Sequence, residues 1–300
     1  MNKIVLIGCG NVGMAYAYAL ISQNTNVDEL VLLDIDKEKV EGEVLDLRHS
    51  AVFRPNKCLI YAGDYNDCKD ATIVVITAGK NQAVGETRTD LISKNAKIFK
   101  EIVTHTKQSG FDGIYLIATN PLDAMTYATY KYAGVAPNKV IGSGTVLDTA
   151  RLKDLISEKI RIDTDNIHSF VIGEHGDSEL VTWSISNVGL SPLREYLTKA
   201  QQEEIQNDVR NSAYEIIQKK GNTAYGIGMC LVKITEAILD DDNTIMTVSS
   251  FDAKTGIYYG YPSVITKNGA TRYITLELSD DEKSKLQDSI NTIKKNIENI

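Results

Sequence analysis

The chain has 300 residues, of which 43% are hydrophobic and 24% are charged, and its formal net charge is −8 at pH 7. This composition is typical of a globular protein, and the length suits one large domain or two ordinary ones. The negative charge disfavours nucleic acids and acidic membrane surfaces as partners, and no apolar run reaches the ~18 residues of a membrane span. The start lacks a signal-peptide core, and the four cysteines form no CxxC pair and no cluster with histidine. We therefore expect a cytoplasmic protein with reduced thiols, no metal cofactor, no nucleic-acid partner and no membrane anchor.

The first half of the chain alternates between strand and helix patterns. Apolar, β-branched runs predict six strands, and the segments between several of them carry apolar residues on one helical face. Continuous apolar strands separated by helices indicate a parallel sheet that is covered on both sides. Six strands are the number in a full doubly wound dinucleotide-binding sheet. The predicted strands are Lys3–Ile7, Leu30–Leu33, Leu59–Tyr61, Thr72–Ala78, Gly113–Ala118 and Lys139–Ile141.

The pattern changes near residue 142. Helical patterns come first, then three antiparallel strand patterns, and then a final helix that has capping-box spacing at its start and one apolar stripe. The fold class is therefore α/β: a Rossmann-type doubly wound parallel sheet in residues 1–142, then an α+β domain with a C-terminal helix in residues 143–300. The helical patterns cover Asp148–Glu158 and Lys199–Leu239, and the strand patterns cover Thr244–Phe251, Gly256–Ile265 and Ala270–Leu278.

A glycine-rich turn follows the first predicted strand directly. Residues 8–13 read Gly-Cys-Gly-Asn-Val-Gly, a GxGxxG motif that opens an amphipathic helix and includes Val12. In this context Gly8 makes the tight turn, Gly10 lets the backbone approach a pyrophosphate, and Gly13 lets helix and strand pack closely. The helix N-terminus then offers N–H groups and a positive dipole end to the phosphates. The motif therefore predicts a dinucleotide site.

The second predicted strand ends in an acidic residue. Asp34 lies 21 positions after Gly13, close to the offset at which a carboxylate accepts hydrogen bonds from an adenosine ribose. A carboxylate there would repel a 2′-phosphate, so NAD is favoured over NADP. Lys39 has two interpretations, a solvated charge on the following helix or a further contact to the cofactor.

Three polar segments lie in or next to apolar patterns. Residues 78–88 form a loop of small and polar residues that ends in Arg88, and residues 119–123 follow the next strand. The third segment contains Asp148 and Arg151, which share a helix face at i, i+3 spacing, and the run GEHGDS follows later at residues 173–178. These segments are the candidates for a reaction centre.

At these motifs the chain resembles the L-lactate/malate dehydrogenase family, over essentially its whole length. The resemblance implies an NAD-dependent oxidoreductase of glycolysis and fermentation, a homotetramer that moves a hydride reversibly between NADH and pyruvate. Gln82 and the form of the GEHGDS run are closer to lactate dehydrogenases than to malate dehydrogenases. The matching motifs are the GxGxxG turn, GETR at 85–88, TNPxD at 119–123, DTAR at 148–151, GEHGDS at 173–178 and YPSVI at 261–265.

The chemistry of 2-hydroxy acid oxidation assigns the same roles, because a hydride moves to nicotinamide and a proton moves to a base. His175 is the expected base, since imidazole ionises near neutrality and works in both directions. Asp148 would hold one ring N–H and stabilise the imidazolium. Arg151 would bind the substrate carboxylate with its planar fork, and Arg88 would polarise the ketone oxygen where negative charge develops.

The resemblance adds further contacts. Asn120 would donate a hydrogen bond near the ketone oxygen, and Thr223 would line the substrate pocket. Members that act on malate carry an arginine where Gln82 stands, and a neutral amide would leave the second carboxylate of oxaloacetate unpaired. We therefore predict pyruvate over oxaloacetate, although the nearby Lys80 could compensate in part. Cofactor contacts are expected at Tyr65, Gly79, Thr119, Asn120 and Ser143.

The sequence leaves open both the regulation of the protein and its exact function. Many bacterial members of the family bind fructose 1,6-bisphosphate through an arginine and a histidine, and the corresponding residues here are Lys153 and His168. A lysine can meet phosphate only as a point charge, so the sequence leaves activation by this ligand open. The alternative functions are a broader, 2-hydroxyisocaproate-like L-2-hydroxy acid dehydrogenase, a malate dehydrogenase and, in a different class, a non-catalytic NAD-binding protein.

Overall fold

The computed structural model describes residues 1–81, 85, 87–298 and 300. These residues form eight α-helices and sixteen β-strands. The helices are α1 (Asn11–Ser22), α2 (Lys37–Ala51), α3 (Arg88–Gln108), α4 (Leu122–Ala133), α5 (Val146–Ile160), α6 (Lys199–Lys220), α7 (Tyr225–Leu239) and α8 (Asp280–Ile297). The strands of the first half are β1 (Lys3–Ile7), β2 (Glu29–Leu33), β3 (Leu59–Ala62), β4 (Ile73–Ile76), β5 (Ile114–Ile117) and β6 (Val140–Gly142). The strands of the second half are β7 (Ile167–His168), β8 (Val171–Ile172), β9 (Leu180–Val181), β10 (Asn187–Val188), β11 (Ser191–Pro192), β12 (Thr244–Met246), β13 (Ser249–Asp252), β14 (Ile257–Gly260), β15 (Ser263–Thr266) and β16 (Gly269–Thr271).

The largest sheet has eight strands in the order β14-β13-β6-β5-β4-β1-β2-β3. The six strands of the first half pair in parallel, and β13 and β14 extend the sheet as an antiparallel hairpin next to β6. The order β3-β2-β1-β4-β5-β6 is that of a doubly wound dinucleotide-binding fold, so the predicted fold class is confirmed. The strand order reverses between β1 and β4, and ligands of such sheets bind outside the carboxyl ends of the strands at this reversal.

The strands are apolar on both faces because helices cover both faces. Ile4 and Leu6 of β1 belong to one core cluster, which includes residues of α1, α2 and α7. Val5 and Ile7 belong to the opposite cluster, which includes residues of α3, α4 and α8. This alternation follows from the two-residue period of a strand, and it explains why the sequence pattern is a continuous apolar run.

The second half departs from the sequence patterns in several places. The strand pattern at Thr244–Phe251 contains two strands, β12 and β13, and the pattern at Gly256–Ile265 contains β14 and β15. The two strands of each pair belong to different sheets. The helical pattern at Lys199–Leu239 contains two helices, because α6 ends at Gly221, whose φ of 86° is the left-handed conformation that terminates helices. The strand pattern at Ala270–Leu278 forms a strand only as far as Thr271. The next residue is Arg272, whose guanidinium lies 3.9 Å from the ring centroid of Tyr259 in β14 and donates hydrogen bonds to Ser250 in β13.

The final helix forms as predicted. The Ser279 hydroxyl accepts from the backbone N–H of Glu282, and the Glu282 side chain accepts from the backbone N–H of Ser279. The apolar stripe of α8 buries Ile290, Ile293 and Ile297 against the cluster formed with α3 and α4. In the part of the chain that the structure describes, no helix has the length and apolar character needed to cross a bilayer.

Candidate active site

The glycine-rich turn connects β1 to α1 at the carboxyl edge of the sheet. A Cβ on Gly8 would lie 2.4 Å from the backbone nitrogen of Ala78, and a Cβ on Gly13 would lie 2.1 Å from the carbonyl oxygen of Gly8. Side chains at these two positions would therefore push the turn away from β4 and from its own helix. A Cβ on Gly10 would have no heavy atom within 4 Å, so this glycine borders open space.

The open space beside Gly10 fits the pyrophosphate of a dinucleotide. Helix α1 begins after Gly10 without a side-chain cap, so its first N–H groups are available to an anion. Asp34 is half-buried at the end of β2, and its Oδ2 accepts the backbone N–H of Cys9 at 2.6 Å. Lys39 donates to the carbonyl oxygen of Cys9 at 2.7 Å and thus braces the turn in this structure. The residues present therefore suit NAD.

The ends of β4 and β5 lie in contact at the same edge. The Thr119 hydroxyl donates to the carbonyl oxygen of Ala78 at 2.8 Å, and a Cβ on Gly79 would lie 2.4 Å from the Thr119 methyl carbon. Ser143 is buried just after β6, and its backbone N–H donates to the carbonyl oxygen of Ile117 at 2.8 Å. Gly79, Thr119 and Ser143 thus follow neighbouring parallel strands.

Val12 and Tyr65, two other predicted cofactor contacts, do not lie at the ends of β4, β5 or β6. Val12 is half-buried in the first turn of α1 and packs against the core cluster below it. Tyr65 follows β3, and its ring stacks on the ring of His105 of α3 at a centroid distance of 4.7 Å. Tyr65 therefore has a protein partner already.

A buried asparagine links two of the strand-end loops. Asn95 lies fully buried on the apolar face of α3. Its Oδ1 accepts from the backbone N–H of Lys80 at 2.9 Å, and its Nδ2 donates to the carbonyl oxygen of Asn120 at 2.8 Å. The apolar pattern of this helix in the sequence gives no indication of these partners.

Asp148 joins two of the predicted catalytic side chains. Its Oδ2 lies 2.6 Å from Nδ1 of His175, and its Oδ1 accepts from Nη1 of Arg151 at 3.0 Å. The Asp148 side chain is almost fully buried, whereas 26% of the His175 side chain is exposed. An Nδ1–H held by Asp148 leaves Nε2 of His175 free to exchange a proton with a ligand.

The ionisation of this pair follows from its contacts. Burial alone would lower the pKa of His175, but the charge and hydrogen bond of Asp148 outweigh burial and raise the pKa to about 9. Burial alone would raise the pKa of Asp148, but His175 and Arg151 together lower it below its usual value. Near neutral pH the pair is therefore an imidazolium with a carboxylate, the state that can protonate a ketone oxygen.

Glu179 is a site residue that sequence reasoning missed. It is 6% exposed, and its carboxylate, the Asp148 carboxylate and the His175 ring offer ligand atoms within 4.8 Å of one another. Burial and the charge of Asp148 raise the pKa of Glu179 well above its usual range. These atoms are close enough to hold a metal ion, but the hydrogen bond between His175 and Asp148 favours a proton-transfer site. The only sequence signal was the position of Glu179 directly after the GEHGDS run.

Arg88 lies near the segment that carries His175. It is the first residue of α3, and its Nη2 contacts Oε1 of Glu174. A Cβ on Gly176 would lie 3.3 Å from the same Nη2, so the guanidinium lies beside the residue that follows His175. Arg88 of α3 thus contacts the GEHGDS segment directly, and Arg151 of α5 is connected to it through Asp148.

Asp123 fixes the backbone of His175. This buried residue of α4 accepts the backbone N–H of His175 at 2.9 Å and the hydroxyl of Ser249 at 2.5 Å. Burial raises the pKa of Asp123 to about 6, although both hydrogen bonds act in the opposite direction. Sequence reasoning had noted Asp123 only as the end of the TNPxD motif.

The remaining predicted residues have less defined surroundings. Gln82 lies outside the described residues. Asn120 is exposed after β5, and Thr223 is half-buried between α6 and α7. Of the two expected effector residues, Lys153 is half-buried on α5 and His168 is exposed in β7, which packs against α5.

Comparisons with known proteins agree over the whole chain. Residues 2–142 match the family profile described as lactate/malate dehydrogenase, NAD binding domain. Residues 145–300 match the profile described as lactate/malate dehydrogenase, alpha/beta C-terminal domain. An L-lactate dehydrogenase of Bacillus pumilus is 48% identical over 304 residues, covering 98% of this chain and 96% of that protein. One of Geobacillus sp. is also 48% identical, covering 98% of this chain and 95% of that protein.

Solved structures give the same result. MGS-M5, a lactate dehydrogenase from a Medee basin deep-sea metagenome library, has a TM-score of 0.96 at 48% identity, covering 99% of this chain and 98% of that chain. The ligands-bound form of the minor L-lactate dehydrogenase from Enterococcus mundtii has a TM-score of 0.97 at 38% identity, covering 100% of this chain and 98% of that chain. The ligands-unbound form has a TM-score of 0.90 at 37% identity, covering 99% and 96%. Since sequence, fold and site geometry agree along the full length, the chain belongs to the lactate/malate dehydrogenase family and carries its NAD-binding domain.

Proposed function

We propose that this protein is an NAD-dependent L-lactate dehydrogenase, which transfers a hydride reversibly between NADH and pyruvate. The observation that carries the proposal is the buried Asp148 carboxylate, which binds His175 with one oxygen and Arg151 with the other. This arrangement places a proton donor, His175, next to the guanidinium of Arg151. A 2-oxo acid has a ketone oxygen that the histidine can protonate and a carboxylate that the guanidinium can bind. The L-lactate dehydrogenases at 48% identity support lactate as the product.

The bound nicotinamide supplies the hydride chemistry, and the side chains perform the remaining tasks. Arg151 binds the substrate carboxylate through the N–H groups that Asp148 does not occupy. Arg88 stabilises the negative charge that develops on the ketone oxygen, and His175 then donates its proton to that oxygen. In the direction of lactate oxidation, neutral His175 accepts the hydroxyl proton and Asp148 stabilises the resulting imidazolium.

A substrate panel tests this function. We expect the highest kcat/KM with NADH for pyruvate over oxaloacetate and branched 2-oxo acids, because Gln82 offers no charge to a second carboxylate. Oxaloacetate as the best substrate would favour malate dehydrogenase, and a branched acid would favour the broader 2-hydroxy acid enzyme. NADH binding without turnover on any 2-oxo acid would favour the non-catalytic alternative.

A histidine substitution tests the assigned base. His175→Asn should lower kcat about 10²–10⁴-fold while NADH still binds, because the acid–base group is lost and the glycine-rich turn is unchanged. His49→Asn, in an exposed position on α2, is the matched control and should keep wild-type turnover. Wild-type kcat in His175→Asn would remove His175 from the base role.

The two segments of the chain have different proposed roles. We propose that residues 1–142 bind NAD and that residues 143–300 contribute the substrate-binding and catalytic groups. The glycine-rich turn and Asp34 support the first assignment, and His175, Asp148 and Arg151 support the second. Arg88 and Asn120 are exceptions, since they reach the substrate from the first segment.

We further propose a cytoplasmic homotetramer that serves glycolysis and fermentation, the setting in which pyruvate reduction regenerates NAD. Large exposed apolar side chains around α1 and α2 support self-association.

Fructose 1,6-bisphosphate is proposed as an effector through Lys153 and His168. Pyruvate kinetics with and without this ligand test that assignment, and a His168→Ala variant should lose any activation.

A further inference from the structure

Glu174 is a buried carboxylate beside the catalytic histidine, and the mechanism above gives it no role. It precedes His175 in the chain and is 2% exposed. A buried carboxylate must be paired or hydrogen-bonded, because removing an ionised group from water is costly. The identity of its partners therefore indicates its purpose.

Three residues besides Arg88 hold Glu174 in place. Its backbone N–H donates to the hydroxyl of Ser289 at 2.7 Å, and its Oε1 accepts from Nδ2 of Asn296 at 3.3 Å. Its Oε2 accepts from the hydroxyl of Ser178. Ser289 and Asn296 both belong to α8, so the backbone and the carboxylate of Glu174 are each anchored to a helix that packs on the core of the sheet. Glu174 is thus a fixed point next to the reaction centre.

Arg88 meets this fixed point with only part of its guanidinium. Nη2 contacts Oε1 of Glu174, and the guanidinium lies beside Gly176. Nε of Arg88 is shielded from solvent and has no hydrogen-bond partner among the described residues. A guanidinium is a planar fork with five N–H donors, so one edge can bind a carboxylate while other donors serve a ligand. Arg88 therefore keeps donor capacity after it pairs with Glu174.

We infer that Glu174 is the positioning residue of Arg88: its anchored carboxylate holds one part of the guanidinium beside Gly176, so that the remaining donors meet the substrate oxygen that His175 protonates. This inference rests on the proposed function, because it requires Arg88 to act on the substrate. It deepens that function by explaining how a long, flexible side chain from α3 is fixed next to a histidine from the second half of the chain. Misplacement of a catalytic group by about 1 Å can cost roughly 10²-fold in rate, so such a restraint has a measurable effect.

A second buried glutamate shows that burial alone does not require an arginine. Glu282 is 5% exposed, and its carboxylate accepts from the backbone and hydroxyl of Ser184 and from the backbone N–H of Ser279. These neutral donors satisfy Glu282 at the start of α8. The neutral donors of Ser178 and Asn296 could have satisfied Glu174 in the same way, and the pairing with Arg88 is an addition to them.

A double-mutant cycle on pyruvate reduction tests the inference. We expect Glu174→Gln to lower kcat about 10–100-fold with little change in NADH affinity, because Arg88 loses its restraint. Arg88→Gln should lower kcat about 10²–10³-fold, as loss of a charge-stabilising donor does. The double variant should lie within about threefold of Arg88→Gln, because Glu174 acts through Arg88 and has nothing left to position.

Glu282→Gln is the matched control. It makes the same change in another buried glutamate, so it should lower thermal stability while kcat stays near the wild-type value. If Glu174→Gln fails to fold, Asn296→Ala replaces it, since this change loosens the Glu174 carboxylate without removing it. Asn296→Ala should lower kcat several-fold in the wild-type background and have no effect on kcat in the Arg88→Gln background.

These experiments distinguish a failure of the positioning role of Glu174 from a failure of the proposed function. An unchanged or raised kcat in Glu174→Gln, or losses that multiply in the double variant, would overturn the positioning role while wild-type turnover upholds the proposed function. Absence of wild-type turnover with every 2-oxo acid would overturn both.

Discussion

His175 carries a proton near neutral pH because Asp148 stabilises the imidazolium. The raised pKa, about 9, keeps the acid form in place for pyruvate reduction. We therefore expect kcat/KM for pyruvate to be constant near neutrality and to fall as the pH rises through about 9, where the imidazolium loses its proton. Lactate oxidation needs the neutral ring, so its kcat/KM should rise over the same range. Steady-state pH profiles in both directions measure this.

Asp148→Asn is the control for the origin of that shift. An amide removes the charge that raises the pKa of His175, so the midpoint of the pyruvate profile should move down, towards the ordinary histidine value of about 6.5. A midpoint that stays near 9 in Asp148→Asn would contradict the assigned cause. The same pair affects stability: it stabilises the fold fully between about pH 4 and about pH 6.5, the ordinary pKa values of aspartate and histidine. This contribution is lost as the pH rises through about 9, where His175 loses its proton, and in acid, where Asp148 gains one.

The glycines of the turn should respond differently to alanine, because their surroundings differ. A Cβ on Gly10 would have no heavy atom within 4 Å, so Gly10→Ala should fold normally but occupy space proposed for the pyrophosphate. We expect NADH to bind at least about tenfold more weakly, a loss of about 1.4 kcal/mol. NADH fluorescence titration measures this loss, and wild-type affinity in Gly10→Ala would contradict the placement of the cofactor.

Gly13→Ala is the matched comparison. Its Cβ would lie 2.1 Å from the carbonyl oxygen of Gly8, a backbone atom that cannot move without opening the turn. We expect the free energy of unfolding to fall by about 1–3 kcal/mol, as for overpacked cores. Equal unfolding midpoints for Gly10→Ala and Gly13→Ala in denaturant would show that the turn adapts.

At the scale of elements, α1 and α7 hold the two halves of the chain together. The hydroxyl groups of Tyr16 and Thr235 lie 2.9 Å apart in the buried contact between these helices. A Cβ on Gly228 of α7 would lie 2.9 Å from the carbonyl carbon of Ala15 in α1. This glycine therefore sets how closely the helices approach, and α1 is the helix whose N-terminus belongs to the proposed cofactor site.

Gly228→Ala should separate α1 from α7 and lower the free energy of unfolding by about 1–3 kcal/mol. Gly42→Ala in α2 is the control, because a Cβ there meets nothing within 4 Å. At that exposed helical position alanine should raise stability by about 0.5–1 kcal/mol. Denaturant unfolding gives both values. A Gly228→Ala variant as stable as wild type would mean that the helix contact can relax.

The strands show which features of the fold the sequence patterns could predict and which they could not. The parallel strands were predictable because each is buried on both faces, which leaves a continuous apolar run in the sequence. The place of β13 and β14 in the large sheet was not predictable, because an antiparallel hairpin has the same pattern whichever sheet it joins. The last strand ends just before Arg272, which stacks on Tyr259 of β14, a contact that the local pattern does not reveal.

In the site, too, local motifs predict some residues, whereas contacts between residues distant in the sequence determine the others. The family motifs singled out His175, Asp148 and Arg151, and two of these share one helical face. Glu174, Glu179 and Asn95 could not be assigned in this way, because their partners are distant in the sequence. A carboxylate in a GEHGDSE run carries no sign of whether an arginine 86 positions away will contact it.

At the scale of the whole molecule, large apolar side chains are exposed on one face. Tyr18 of α1 lines one groove together with Tyr225 and a second groove together with Phe53, which follows α2. These three side chains are 59%, 76% and 90% exposed. Monomeric soluble proteins rarely expose such contiguous apolar surface, so we propose that a second copy of the chain covers this face in the proposed tetramer.

Phe53→Asp tests the role of this face in assembly. A charge buried in an apolar contact between subunits is unfavourable, so sedimentation velocity should show a species smaller than the tetramer proposed for the wild type. Leu190→Asp makes a similar change at a fully exposed position between β10 and β11, and it should keep the wild-type mass. A wild-type protein with the mass of a single chain would contradict the tetramer. A Phe53→Asp variant of unchanged mass would show that the subunits meet through a different face, because a buried aspartate could not be accommodated here without loss of association.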